Sequence, residues 1–362
     1  MRSGRVLVTL VVALFGVAAF LGYRGELAIP GSDSMGEVAA IAQAPPLIPL
    51  DPVAVAAQVQ PALVNIEVEA APFGISAAGS GIVLTEDGQI LTSHHVIKGA
   101  DELSVTDLGN GLIYQATVLG YDSSADIALL SLAGASGLPT ARLGTSADLR
   151  IRQDVLAIGD AGGDGGEQTS VAGPITDLDA AIVAMNSADM SRKSLRGMVE
   201  IAAPVVGGQS GGALVDGTGA VVGVITAASG ERTPAEQQTR PANGYAVPID
   251  TAMRIVAQIR SGTPTDTVHV GPTATLGVQI VDAHPTAGAR VTWAFYGQPA
   301  RTAGITDGDV ITAVDGTTIT TAKALSAAIN IRKPADLVRL DVTAPDGTTR
   351  TVEVVLAAGT PN

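Results

Sequence analysis

The sequence has no cysteine and only ten aromatic residues, one Trp, five Tyr and four Phe, in a chain of 362. The missing thiols exclude a disulfide framework, a thiolate zinc site and a cysteine nucleophile together. Positive charge is also scarce: 21 Lys and Arg face 35 Asp and Glu, for a net charge of −14. That balance repels phosphate backbones, so nucleic acid is not an expected partner. Histidine occurs four times, and two of the four, His269 and His284, stand apart without carboxylates at ligand spacing. Neither a metal site nor a cofactor is expected from this pattern. Long apolar runs are missing with one exception, Val6 to Tyr23, 18 uncharged residues preceded by Arg2 and Arg5 and followed by Arg24. As a helix this run would reach about 27 Å, close to the hydrocarbon thickness of a bilayer. Residues 1–24 are therefore expected to form a cytoplasmic tip and a single-pass transmembrane helix. The basic flank keeps the start inside and places the rest of the chain on the extracytoplasmic side of the cell membrane. A signal sequence cleaved near Val17 to Ala19 competes with the anchor and would make the protein secreted.

What is present is apolar and turn-rich: 46% hydrophobic residues, 43 Gly and 20 Pro. Residues 25–50, with small residues and Pro45-Pro46, read as a linker. Asp51 followed by Pro52 predicts a helix N-cap and its first position. From there to residue 262, short β-rich runs recur: Leu63 to Val68, Gly81 to Leu84, Gln89 to Thr92, Leu103 to Thr106, Ala116 to Leu119, Ala128 to Leu132, Asp154 to Ile158, Val199 to Ala202, Ala213 to Val215 and Val221 to Thr226. Strands at this spacing predict a sandwich or barrel. A helix over Thr251 to Arg260 closes the unit, and residues 263–271 read as a second linker. Residues 272–360 form a smaller α+β unit with five strand runs and one amphipathic helix near Ala322 to Ile329. Trp293, Phe295 and Tyr296, a local concentration of rings, are expected to pack in a core or interface.

Gly207-Gly208-Gln209-Ser210-Gly211-Gly212 lies between two β-rich runs. A serine that attacks an amide needs backbone N–H groups turned toward the developing oxyanion, and glycine allows that geometry. Gly208 and Ser210 would supply the donors. Leu91-Thr92-Ser93-His94-His95-Val96 places a histidine pair at a strand end, where an imidazole can act as general base. The spacing favours His95, with His94 packed or facing solvent. Asp126, among the apolar residues of Ala125-Asp126-Ile127-Ala128-Leu129, is a carboxylate that has to be paired. His95, Asp126 and Ser210 follow the chain order of the chymotrypsin arrangement, 31 and 84 residues apart. This order is distinct from those of subtilisin and the α/β-hydrolases.

Gly79-Ser80-Gly81-Ile82-Val83, Asp87-Gly88, His95-Val96, Tyr121-Asp122, Ala157-Ile158-Gly159-Asp160 and Tyr245-Ala246-Val247-Pro248-Ile249-Asp250 together resemble the HtrA-like, or DegP-type, trypsin-fold serine proteases. The resemblance covers residues 51–260. It implies a mainly β chain: a chymotrypsin-like double β-barrel protease domain over 51–262, followed by a small α+β PDZ domain and preceded by one transmembrane helix. Where the family shows Asn-Pro-Gly-Asn-Ser, this chain has Val206-Gly207-Gly208-Gln209-Ser210. Pro204 stands where trypsin-like relatives carry a pocket aspartate. With Val205 and Thr226 it implies a specificity pocket for small or medium aliphatic side chains. Thr275-Leu276-Gly277-Val278, Ala303-Gly304-Ile305, Gly308-Asp309-Val310-Ile311 and Asp315-Gly316 resemble a PDZ domain. Its groove would bind C-terminal peptides through the amides of Leu276, Gly277 and Val278, with Leu325 lining it. The expected activity is endopeptidase hydrolysis of exported, unfolded or damaged polypeptides, with a homotrimer implied by the family. Two rivals are a proteolytically silent PDZ-containing chaperone or peptide sensor, and an esterase or acyltransferase using the same triad.

Overall fold

A computed structural model describes residues 48–361 of the chain, apart from 71–74, 164, 167, 186–191 and 229–242. The expected membrane-spanning segment, 1–24, and residues 25–47 of the expected linker lie outside the described residues. Among the described residues no helix is long and apolar enough to cross a membrane.

Helix α1, Pro52–Val59, begins as the sequence requires. The Asp51 carboxylate accepts hydrogen bonds from the Val53 and Ala54 amides at 3.2 and 3.1 Å, and Pro52 occupies the first turn. A cap of this kind contributes about 1 kcal/mol. Six strands follow: β1 Leu63–Ala70, β2 Ile75–Val83, β3 Gln89–Thr92, then, after the single turn α2 (His94–Ile97), β4 Glu102–Asp107, β5 Ile113–Asp122 and β6 Ile127–Leu132. Their order is β5-β4-β1-β2-β3-β6, and pairing of β5 with β6 closes the barrel. Strands β3 and β6 and the start of β1 are buried on both faces, and the two faces serve different cores. Val64, Ile66 and Ile90 point into the barrel. Their alternate neighbours Leu63, Leu91 and Leu129 pack outward against residues of a second barrel. A strand buried on both sides reads as a continuous apolar run, which is what the sequence presents here.

The second barrel contains β7 Asp154–Gly159, β8 Thr169–Met185, β9 Arg192–Ile201, β10 Ala213–Val215, β11 Val221–Ala228 and β12 Gly244–Pro248, closed in the order β10-β11-β12-β9-β8-β7. Strand β8, 17 residues long, was not legible in the sequence. Its register against β9 shifts three times between Ile175 and Ile182. Each bulge turns the following side chains to the other face and erases the period-2 pattern. Helix α3, Ile249–Arg260, buries Ile249, Ala252, Ile255, Val256 and Ile259 on one stripe. These side chains join the same core as Leu63 and Leu156, so the helix seals the junction of the two barrels. Each fully buried side chain of this size contributes about 1.5–3 kcal/mol.

The stretch 263–271, expected to be a linker, contains a strand instead. β13, Val268–Val270, pairs with Gly120 to Asp122 of β5, while β4 covers only Ile113 to Gln115 of that long strand. Three residues are too few to show a period, and only the tertiary partner reveals them. His269 is fully buried in β13.

The last unit is a sheet ordered β15-β16-β17-β19-β20. After β14 (Ala274–Thr275) come β15 Val278–Asp282, β16 Ala289–Ala294, α4 Pro299–Thr302, β17 Val310–Val314, β18 Thr317–Thr318, α5 Ala322–Asn330, β19 Leu337–Thr343, β20 Thr349–Val355 and β21 Ala357–Ala358. Strand β19 alternates cleanly: Val338, Leu340 and Val342 are buried in the core that Leu325 and Ile329 of α5 also join, while Leu337, Arg339 and Asp341 face out. Of the core or interface packing expected for Trp293, Phe295 and Tyr296, the core is overturned, since all three are exposed, Tyr296 almost completely.

Candidate active site

Two strand ends of the first barrel carry the imidazole and the carboxylate. Ser93 leaves β3 in an extended conformation and α2 begins at once, which turns His95 back across the barrel. Asp126 sits in the β5–β6 turn, which the Asp122 carboxylate holds by accepting from the Ser124 amide and hydroxyl at 2.8 and 2.6 Å and from the Ala125 amide at 3.1 Å. The Asp126 backbone is left-handed, φ 62°, a conformation that aspartate tolerates better than most residues. His95 Nδ1 lies 2.8 Å from Asp126 Oδ2, and the His95 amide donates to Oδ1 at 3.1 Å. The Asp126 carbonyl accepts from the His94 amide at 3.2 Å. Thr226 Oγ1 donates to Oδ2, and Lys193 Nζ stands 3.6 Å from Oδ1. Burial alone would raise the Asp126 pKa. The charge and hydrogen bond of His95, with Lys193 and Thr226, outweigh it and hold the carboxyl well below the usual carboxylate range. An ionised carboxylate facing Nδ1 fixes the tautomer and leaves Nε2 as the basic nitrogen.

His94 has the opposite fate. It is buried with its ring tilted 36° against Tyr121 at 4.8 Å between centroids, and Tyr121 stacks on His269 at 4.9 Å. Burial pulls the His94 imidazole down to about 3, with the Asp126 charge opposing, so the ring is neutral at physiological pH.

Ser210 lies in the loop between β9 and β10. Its carbonyl accepts from the Ser80 amide at 2.8 Å, and Ser80 Oγ donates to the Gly208 carbonyl at 2.9 Å, so one residue of β2 pins the loop on both sides of Gln209. Two glycines are obligatory. A Cβ on Gly208, at φ 89°, would stand 2.0 Å from the Asp160 carbonyl oxygen, and one on Gly211, at φ 84°, would stand 2.1 Å from that of Ser80. Gln209, absent from the family pattern at this position, is fully buried; it donates to Thr169 Oγ1 at 3.1 Å and accepts from the Val206 amide at 3.0 Å. Among the described residues no acceptor is bonded to the amides of Gly208 or Ser210. The Ser210 hydroxyl donates to the Thr226 carbonyl at 3.5 Å. Thr226 therefore reaches the serine with its backbone and the carboxylate with its side chain, and through it Ser210, Asp126 and His95 converge.

Two of the three expected pocket residues are placed differently. The Thr226 side chain turns to Asp126, because a buried hydroxyl seeks an acceptor and the carboxylate is the strongest one in reach. Val205 is buried in the core of the second barrel, because its side chain fills the space beside Gly244. Pro204 is exposed. The contacts of Thr226, Ser80 and Lys193 had no signal in the sequence, since each is made far along the chain.

In the last unit Leu276, Gly277, Val278 and Leu325 all line one groove of about 400 Å³ between β15 and α5. β15 is the edge of its sheet, and its free side is able to pair with an added strand. One expected donor is engaged: the Gly277 amide donates to Thr275 Oγ1 at 3.0 Å, because the left-handed Gly277 turns its N–H back onto that hydroxyl.

Residues 79–224 match the trypsin-like peptidase domain and residues 274–356 the PDZ domain. The serine protease PepD of Mycobacterium tuberculosis is 34% identical over 371 aligned positions, which cover 98% of this chain and 76% of PepD. Protease Do-like 1, chloroplastic, of Arabidopsis thaliana is 30% identical, with 73% of this chain and 60% of that protein covered. Among solved structures, the serine endoprotease from Yersinia pestis is 24% identical with a TM-score of 0.46, covering 86% of this chain and 99% of that one. The chain thus belongs to the HtrA, or DegP-like, family of trypsin-fold serine endopeptidases that carry a PDZ domain.

Proposed function

We propose that Ser210, His95 and Asp126 perform acyl transfer on exported, unfolded polypeptides, and that the PDZ groove holds a C-terminal peptide. The observation that carries this reading is the 2.8 Å contact of His95 Nδ1 with a buried carboxylate that Thr226 also links to Ser210. Ser210 Oγ attacks the scissile carbonyl carbon as Nε2 of His95 takes its proton. The amides of Gly208 and Ser210 bind the oxyanion, and collapse of the intermediate returns the proton to the leaving amine. Water repeats the sequence on the acyl-enzyme. The serine hydroxyl first has to turn from the Thr226 carbonyl toward the imidazole, an adjustment common before substrate binds.

Labelling by a fluorophosphonate tests the nucleophile: Ser210→Ala abolishes stoichiometric labelling, and a variant that still labels removes Ser210 from the role. With Pro204 where a counter-charge would stand, peptides with Val or Ala before the scissile bond are cleaved about 10- to 200-fold better than those with Arg or Lys. Equal or better cleavage after Arg contradicts that pocket. The uncharged run Val6 to Tyr23 supports a single-pass anchor with the catalytic and PDZ domains outside the cytoplasm. Release of the full chain by alkaline carbonate would refute the anchor. The family assignment supports a homotrimer, and a monomer mass in sedimentation refutes it.

A further inference from the structure

We propose that Lys193 is a positioning residue of the catalytic site: from the second barrel its ammonium shares the Asp126 carboxylate with His95 and so sets how readily the imidazole takes up a proton. The proposal rests on the triad roles given above.

Lys193 is the second residue of β9 and lies opposite Ala184 of β8. Its side chain as a whole is 31% exposed, yet Nζ itself is out of solvent and has no hydrogen-bond partner among the described residues. Lysine ordinarily does the reverse, burying the stem and wetting the tip. An ammonium drawn inward needs a counter-charge, and Nζ lies 3.6 Å from Oδ1 of Asp126, the oxygen that also accepts the His95 amide. Asp126 and Asp122 in and beside the β5–β6 turn favour its charge, whereas Lys98 after α2 opposes it; His94, also within its field, is neutral. Burial pulls the Lys193 pKa down and the two carboxylates pull it back.

The consequence concerns the base. Asp126 stabilises the imidazolium formed when Ser210 gives up its proton. A cation on the other carboxylate oxygen takes up part of that negative charge and repels the imidazolium directly. Both effects weaken the hold that the aspartate alone would have on the imidazolium.

The test is kcat/KM against pH for the full chain on a peptide substrate, in the wild type, Lys193→Met and Lys193→Arg. Loss of the cation moves the acid limb up by about half a unit to one unit, with the plateau changed less than about threefold, and Lys193→Arg restores the limb. A lowered plateau with an unmoved limb, or a change confined to KM, overturns the proposal. If Lys193→Met does not fold by circular dichroism, Lys193→Gln carries the same comparison. The NMR titration of His95 in Ser210→Ala protein, with and without Lys193, gives the shift without turnover, and an unchanged titration again overturns it. The two readings fail separately. Turnover surviving in Ser210→Ala sinks the triad assignment, whereas an inactive Ser210→Ala with an unmoved limb sinks only the role of Lys193.

Discussion

The two ends of the catalytic site are built to different tolerances. At the carboxylate end Asp126 is ionised, buried and held by the His95 amide and ring, the Thr226 hydroxyl and the Lys193 charge. At the hydroxyl end Ser210 has one long bond to a carbonyl, and the two loop amides are unengaged among the described residues. Folding completes the first end because an unpaired buried charge would cost more than the fold can spare. The second end waits for substrate, since its donors are aimed at charge that exists only during the reaction. Mutations should therefore separate activity from stability according to the end they touch.

Ser210→Ala is the sharpest case: kcat falls by about 10⁶ while unfolding free energy moves by less than about 0.5 kcal/mol. Loss of stability beyond that range would show that the hydroxyl end also supports the fold. Asp126→Asn lowers kcat by about 10⁴ and, unlike the serine variant, costs about 1–3 kcal/mol of stability. Denaturant midpoints measured beside rates read both, and unchanged stability would erase the contrast between the ends. Thr226→Val keeps the shape of the site but removes one donor to Asp126, so about tenfold in rate and about 1 kcal/mol in stability should go together. A rate loss without any stability loss would move Thr226 to the substrate side.

A last contrast is in pH, where stability moves and the catalytic groups do not. His94 ionises near 6.5 when unfolded and near 3 in place, so its contribution is fully present above about 6.5 and is lost as pH falls toward 3. The loss reaches at most about 1.4 kcal/mol per pH unit in that window. His94→Phe should flatten the stability curve between pH 4 and pH 6.5, seen in urea midpoints at either side. The depressed Asp126 adds nothing in that window, because its contribution stays intact above the ordinary carboxylate range and falls away only below it.

Most of the barrel strands, and Ser210, His95 and Asp126 as candidates, were legible because both follow from local pattern: apolar runs between turns, and a serine, histidine and aspartate each at the end of such a run. What escaped the sequence was long-range. Strand β8 hides behind register shifts, and β13 is three residues long. Thr226 entered the expected pocket through the family resemblance, whereas its hydroxyl is committed to Asp126, 100 residues back. No local window contains both partners of such a contact, so no periodicity marks it. The exposed Trp293 and Tyr296 mislead in the opposite direction, since ring content says nothing about which face a strand turns to the core.

The short strand β13 changes what a truncation means. His269 accompanies it into the first barrel, with its ring against Tyr121 and its nitrogens 2.7 and 2.8 Å from the carbonyls of Asn330 and Gly271. The tail adds a second tether, for the Pro361 carbonyl accepts from the Gly99 amide just beyond α2. A fragment ended at residue 262 would not be the enzyme minus a passenger. It would lose one staple of its own barrel and wet the far side of the ring on which His94 leans, so its kinetics would describe a wounded protease rather than a liberated one.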